Sequence, residues 1–373
     1  MNERKRVLQV NIDNNGGNGA FSLIRYLYSY LSETYVFDYY TMGNFLKDAV
    51  YDSIVKDGGV CYSANLRKNK LLGHIVLPFN FYSFLKSRNY EIVHIHSEVA
   101  YKQFLYVIAA HCAGVDKIIV HSHSSDIDGE HKKLKLVLHK FFRRCVNMMG
   151  TDFLACSMPA AEWMFDASII ASNRFHLVDN GIVAEKYRFD AQKRAFMRNK
   201  LDVDDFIVLG HVGALKKVKN QMFLVELMSK LDVNKYKLIL VGDGEDRNKI
   251  EEAARRAGCS ESIVMLGSRN DVDNVMQAFD VVVFPSIFEG VPMALIEAQA
   301  MGIPVLASNQ INPLVKVNPN FRFIPIGSGN IEVWKKEIEN MAGNHIEEQG
   351  YYSIAQSKFN IKKSADCLRN VYQ

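Results

Sequence analysis

Nowhere in this chain do apolar residues run for the roughly eighteen to twenty positions that a membrane-spanning helix needs, and no apolar signal core follows the opening Met-Asn-Glu-Arg-Lys-Arg. Those absences predict a cytoplasmic protein whose membrane contact is at most peripheral, at the inner face. Cysteine is sparse, with six residues at 61, 112, 145, 156, 259 and 367 and no C-x-x-C spacing. Such scatter predicts free thiols in a reducing compartment and offers no zinc site. An excess of one charge is also missing. A formal net charge of +4 over 373 residues is too mild to draw nucleic acid by bulk electrostatics, so none is expected as a partner. Low-complexity tracts are absent, and so is any internal repeat beyond two similar halves.

What is present is an apolar fraction of 48% in a chain too long for one comfortable core and suited to two domains. Short β-branched and aromatic runs alternate with helical segments along its length, the pattern of parallel sheets in α/β domains. In the first half the runs are Val7–Ile12, Val36–Tyr40, Gly59–Tyr62, Glu91–His96, Lys117–His121 and Thr151–Cys156. Asn14-Asn15-Gly16-Gly17-Asn18-Gly19 follows the first of them and feeds a helix from about Ala20 to Leu31. A glycine-rich turn there lets backbone approach a phosphate, but it departs from Gly-x-Gly-x-x-Gly, which argues against a nicotinamide site.

The most informative stretch runs from Phe279 to Ser308. Val281 to Phe284 reads as a strand buried on both faces, stopped by Pro285. A loop through Glu289 and Gly290 leads to Pro292, which opens an Ala-rich helix ending near Gly302. Free N–H groups near Gly290, Val291 and Met293 suit a phosphate, with the helix dipole favouring its charge. Glu289 and Glu297, with seven residues between them, place two carboxylates where each can hold a pair of hydroxyls.

The Phe-Pro-Ser-x-x-Glu-Gly-x-Pro-x-x-x-x-Glu-Ala-x-Ala-x-Gly-x-Pro-Val run resembles the retaining nucleotide-sugar glycosyltransferases of group 1, which have the GT-B fold and a Glu-x7-Glu motif. The resemblance implies two Rossmann-like domains with parallel sheets facing a central cleft. It sets an acceptor domain at 1–185, a nucleotide-sugar donor domain at 186–350, and a C-terminal helix at 351–373 packing back on the first domain. By the same resemblance Gly16 and Gly17 cover the donor phosphates, Lys219 and Asn220 match the family's Lys-Asn pair, and Lys219 grips the diphosphate. Ala214 stands where the family usually has arginine, so Lys216 or Lys217 stands in for it, or activity is weak or absent. Gly267 to Arg269 occupy the loop that cups the base. Glu289 would hold the sugar hydroxyls, Glu297 the ribose diol, and His123 the sugar near the reacting carbon, with His121 as the fallback.

Two His-x-His pairs, His94 with His96 and His121 with His123, raise the question of a metal. No acidic or cysteine third ligand stands at a convincing spacing, and no metal or cofactor is expected. Asp126-Ile127-Asp128 reads as a helix N-cap region. From His131 to Met149 the chain is basic and amphipathic. Leu134, Val137, Leu138, Phe141, Phe142, Cys145 and Met149 share one side, with Lys132, Lys133, Lys140, Arg143 and Arg144 on the other. Arg67, Lys68 and Lys70 form a second basic patch. A contact with anionic membrane through Lys132, Lys133, Arg143 and Arg144 is the expectation.

The function implied is transfer of a sugar from a UDP-sugar or similar donor to a saccharide or lipid-linked saccharide in bacterial surface polysaccharide synthesis. A GT-B sugar-nucleotide epimerase and a non-catalytic partner subunit of another transferase are the alternatives.

Overall fold

The computed structural model describes residues 4–14, 19–66, 70–124, 126 and 132–373. Gly16, Gly17, Arg67, Lys68 and Asp128, all singled out above, lie outside them. The chain forms two compact units, residues 1–181 with 361–373, and residues 182–360.

The first unit is built on β1 (Lys5–Val10), β2 (Tyr35–Thr41), β3 (Cys61–Ser63), β4 (Ile92–Ser97), β5 (Lys117–Ser122), β6 (Asp152–Ala155) and β7 (Phe175–Leu177). All pair in parallel, in the order β3-β2-β1-β4-β5-β6-β7. The second unit holds β8 (Ile207–Val212), β9 (Tyr236–Val241), β10 (Ile263–Gly267), β11 (Val281–Phe284), β12 (Val305–Ser308) and β13 (Phe321–Ile324). These too are parallel, in the order β10-β9-β8-β11-β12-β13.

Period-two alternation explains why the strands of the second unit read as continuous apolar runs. Val282 and Phe284 join one core cluster while Val281 and Val283 join the other, so β11 is buried on both faces. β8 divides the same way, with Val208 on one side and Leu209 on the other. Each sheet grows outward in both directions from its first strand. The neighbouring strands β1 and β4, and again β8 and β11, therefore send their connections to opposite faces and leave a crevice at their carboxyl ends, where open α/β sheets take ligands.

Two helical expectations change. The single C-terminal helix expected over 351–372 is two helices, Glu347–Gln356 and Ile361–Tyr372. Between them Phe359 is buried in the second unit's core and its carbonyl accepts from Ile182 N at 2.8 Å, which pins the chain in an extended turn. Only the later helix belongs to the first unit. Pro292 precedes its helix as the N-cap, with φ −69° and ψ 118°, and the helix runs Met293–Ala300.

The basic helix forms over Lys132–Met149, but its apolar side is not uniformly inward. Leu134, Val137 and Phe141 are 60%, 65% and 67% exposed, and Met148 is 83% exposed. Arg143 turns the other way. Its guanidinium donates to Phe165 O and pairs with Asp166 at 3.3 Å, so it braces the fold and is not a surface cation. Among the described residues no helix is long and apolar enough to cross a membrane.

Candidate functional site

At the carboxyl edge of the second sheet four loops are stitched into one rim. The loop after β8 meets that after β11 through Ile287 N–H donating to Val218 O at 2.8 Å and Asn220 Nδ2 donating to Pro285 O at 3.2 Å. Leu215 N–H donates to Asp243 O at 3.0 Å, which ties in the loop after β9. Gly242 N–H donates to Gly267 O at 2.9 Å and adds the loop after β10. Gly242 has φ +134°, and a Cβ there would sit 2.1 Å from Gly213 O, so both backbone and packing demand glycine.

Stitching of this kind brings Lys219 to Glu289, with Nζ to Oε1 at 2.6 Å and side chains 18% and 19% exposed. Beneath the ammonium lies the Phe284 ring, its centroid 4.9 Å away. His211 closes the floor beside them. Its Nδ1–H donates to Val283 O at 2.9 Å and its Nε2 accepts from Gln221 Nε2 at 3.2 Å. Burial and the nearby Lys219 charge hold its pKa down at about 4, so the ring is neutral and competes for no anion. Asn220, in the left-handed region at φ +56°, ends the 217–219 turn and starts the helix Gln221–Met228. Lys216 and Lys217 are exposed on the same loop, and Ala214 is exposed with no side chain to offer a charge.

Gly290 is informative for what does not surround it. Its φ is not positive and a Cβ built on it would meet nothing within 4 Å, so neither strain nor packing inside the protein requires glycine. A ligand that comes close to the backbone would. Beyond it the amino end of the Met293–Ala300 helix carries backbone N–H groups that lack partners within the helix. Val291 and Met293 are half-buried there. In the second turn Glu297 accepts from Tyr187 Oη at 2.9 Å, and burial raises its pKa against the pull of that hydrogen bond. The two glutamates thus have different partners, one a cation and one a phenol. Arg269 is held by Asp271 at 2.6 Å, which leaves Gly267, at φ +69°, and the loop backbone as the accessible part of that turn.

In the first unit a cavity of about 150 Å³ opens at the β1–β4 crevice, lined by Asn11, His96, Ser97, Glu98, Lys102 and His123. His123 pairs with His96 at 2.9 Å, and burial lowers its pKa to about 4. His94, His96 and His121 each offer a nitrogen within 4.8 Å of the others, a buried cluster with a metal-compatible spacing. Looking for an acidic or cysteine third ligand missed it, because the third imidazole comes from the neighbouring strand. His121, a member of that cluster, is fully buried and does not line the cavity, so of the two expected histidines His123 is the one that faces it. A larger cavity, about 440 Å³, lies at the amino ends of β1 and β4 around Arg4, Arg6 and Arg88 and holds none of the expected site residues.

Tyr187 and His211 support the site without any motif to announce them. Phe284 was legible as the end of a buried strand and the first residue of the Phe-Pro-Ser run, but not as the ring beneath Lys219, and His211 as one polar residue inside another strand.

Two switch-point crevices on two parallel sheets, one lined with a lysine–glutamate pair and a helix amino end, are the frame of a doubly wound α/β enzyme. Comparison with known proteins makes the class specific. Residues 192–355 match the model of the family described as glycosyl transferases group 1. The chain is 30% identical over 378 residues to the putative glycosyltransferase EpsF of Bacillus subtilis (strain 168), covering 99% of this chain and 96% of that one. It is 25% identical over 302 residues to the Escherichia coli UDP-Gal:alpha-D-GlcNAc-diphosphoundecaprenol alpha-1,3-galactosyltransferase, with 79% and 78% of the two chains covered. Among solved structures, Anabaena Alr3699/HepE in complex with UDP superposes with a TM-score of 0.76 at 16% identity over 99% of both chains. The fold is GT-B, and the chain belongs to the group 1 glycosyltransferases.

Proposed function

We propose that this glycosyltransferase takes a sugar from a nucleotide diphosphate donor, a UDP-sugar, and passes it with retention at the anomeric carbon to a hydroxyl of a saccharide or lipid-linked saccharide in bacterial surface polysaccharide assembly. The observation that carries the reading is the Lys219–Glu289 pair, 2.6 Å apart beside the open backbone of Gly290. Without ligand the two charges satisfy each other. A donor substitutes a diphosphate for Glu289 at the lysine and sugar hydroxyls for Lys219 at the carboxylate, so one ligand replaces both halves of the pair.

Lys219, Lys216 and the amides of Gly290, Val291 and Met293 take the diphosphate and stabilise the charge that grows on it as it leaves. Pro292 sets the entry of that helix, and Asn220 holds the lysine loop. Glu297 takes the ribose diol, Gly267 and the turn bearing Arg269 face the base, and His123 keeps the role toward the transferred sugar that the family resemblance implies. Gly16 and Gly17 keep the phosphate-covering role that the family resemblance implies. No side chain in this set is an obvious nucleophile, so the leaving phosphate oxygen is the base for the incoming hydroxyl, and the scheme calls for no metal.

Relatives support the setting. One, from Staphylococcus aureus, is named a capsular polysaccharide biosynthesis glycosyltransferase, CapH, and matches at 24% identity over 79% of this chain. A thermal-shift panel of nucleotide sugars followed by mass spectrometry of products with lipid-linked acceptors tests the reading. Product from the donor alone would identify an epimerase, and binding with no product a non-catalytic subunit.

The exposed face of Lys132–Met149 favours peripheral membrane contact. Lys133, Lys140 and Arg144 are exposed beside the bare Leu134, Val137 and Phe141, and Lys132 is half-exposed although paired with Asp126 at 2.7 Å. Cations that meet lipid headgroups next to apolar side chains that enter the interface form an amphipathic anchor. Sedimentation with vesicles of phosphatidylglycerol is expected to pull the protein down at low salt. Reversal of Lys132, Lys133, Lys140 and Arg144 to glutamate is expected to abolish it, whereas binding unchanged by reversal rejects this surface.

A further inference from the structure

The two histidines of β4, His121 of β5 and His123 just beyond it form more than a cavity wall. His94 Nε2 and His121 Nδ1 are 3.1 Å apart with ring planes only 9° from parallel and centroids 5.2 Å apart. That is an edge-to-edge N–H···N hydrogen bond in the common plane of two imidazoles. His96 Nδ1 and His123 Nε2 repeat the contact at 2.9 Å, also with centroids 5.2 Å apart. The outer nitrogens of the two β4 rings converge on one amide and one phenol. His96 Nε2 lies 2.8 Å from Gln9 Oε1, Gln9 Nε2 donates to Tyr372 Oη at 3.0 Å, and Tyr372 Oη lies 2.7 Å from His94 Nδ1. Gln9, His94, His121 and Tyr372 are essentially without solvent exposure and His96 is 2% exposed.

The protons on the His96–His123 branch follow from the orientation of Gln9. Its carbonyl oxygen only accepts, so His96 carries hydrogen on Nε2 and its Nδ1 is bare. A bare Nδ1 accepts, so His123 carries its hydrogen on Nε2 and keeps the Nδ1 lone pair. In the other direction Tyr372 Oη accepts from the amide and meets His94 Nδ1, where a phenol oxygen can serve as donor or as acceptor. Burial of His96 and His123 disfavours a second proton on either ring, which is why the pair stays neutral.

We infer that Gln9 and Tyr372 are positioning residues that act through His96 to hold His123 as the neutral Nε2–H tautomer, so that Nδ1 is the atom presented to the substrate. The inference rests on the assignment of His123 to the reaction. A lone pair at Nδ1 accepts from a hydroxyl and repels an anion, so the group His123 meets is a sugar hydroxyl and not a phosphate. Glu98 and Lys102 line the same cavity, and the His121 ring lies 4.0 Å from that of His123. The cluster spacing that would suit a metal is thereby used by hydrogen bonds, since the facing lone pairs of each edge-to-edge pair are already committed.

Long-range ¹H–¹⁵N correlation spectra of the ¹⁵N-histidine-labelled protein, without ligand, read the tautomer directly. His123 is expected to show protonated Nε2 and bare Nδ1. Tyr372→Phe keeps the ring and is expected to mix the His123 tautomers. Gln9→Glu places a carboxylate on His96 Nε2 and is expected to move protonation of the His96–His123 pair to higher pH. The opposite tautomer in the parent protein, no change in either variant, or a stoichiometric metal found by elemental analysis would each overturn the inference. His123→Ala assayed for sugar release from UDP-glucose and UDP-galactose examines the role of His123 separately. Full activity there removes the role while the spectra still decide the tautomer.

Discussion

At Gly290 two ordinary reasons for glycine are missing, which makes alanine there a clean probe. Gly290→Ala meets no atom within 4 Å and needs no left-handed backbone. Its stability is expected to stay within about 1 kcal/mol of the parent, on the favourable side if it changes. UDP-sugar affinity measured by calorimetry is expected to fall roughly tenfold, about 1.4 kcal/mol, because the added methyl occupies ligand space. Glu297 gives a second test through its raised pKa. A carboxyl with a higher pKa folded than unfolded favours folding at low pH, where it is protonated in both states, and loses that contribution as pH rises through the folded value. Glu297→Gln is therefore expected to melt higher than the parent at pH 7, with the difference vanishing at pH 4. Equal gains at both pH values would place the effect in packing. Residues of this kind were legible as acids or glycines at motif spacing. Their partners were not, since nothing in the order of residues says that Tyr187 rather than a cation holds Glu297.

Elements were easier to read than their faces. β11 runs as its apolar run indicates, and the strands expected in the first half differ by a residue or two at their ends. Helix faces went astray where packing leaves an apolar side chain bare, as at Val137 and Phe141. Arg143 misled for the converse reason, because a local carbonyl and Asp166 draw a cation inward that periodicity assigns to solvent. Between elements, the turn at Asn220 shows what propensity adds. Its φ of +56° tolerates asparagine and glycine, while a β-branched residue there is strained. Asn220→Val also loses the bond to Pro285 O. The combined cost is about 2–3 kcal/mol, expected in thermal unfolding as a drop of roughly 4–12 °C. Asn220→Gly is expected to lose less than half of that, since it restores the conformation but not the bond.

On the scale of the molecule, the two units differ in how the chain supplies them. The second unit is contiguous from 182 to 360, so that fragment is expected to unfold cooperatively by itself and to bind UDP. The first is not. Leu368, Val371 and Tyr372 are 0%, 3% and 1% exposed in it, and three such side chains contribute about 5–9 kcal/mol, the size of a whole domain's stability. Residues 1–181 alone are therefore expected to lack a cooperative transition in calorimetry, and a sharp transition like that of the full chain would show the helix to be dispensable. A return of the C-terminus to the first domain was foreseeable from the family resemblance, but its partners were not. Gln9 and Tyr372 are 363 positions apart, beyond the reach of any local pattern.

That late arrival matters while the protein is being made. Translation at about 5–20 residues per second spends roughly 9–36 s on positions 182 to 360 before the helix that completes the earlier unit can emerge. During that interval the nascent imidazole stack has no phenol beneath it, so the half translated first is the half that finishes folding last, and a ribosome-bound chaperone would find its exposed sheet there.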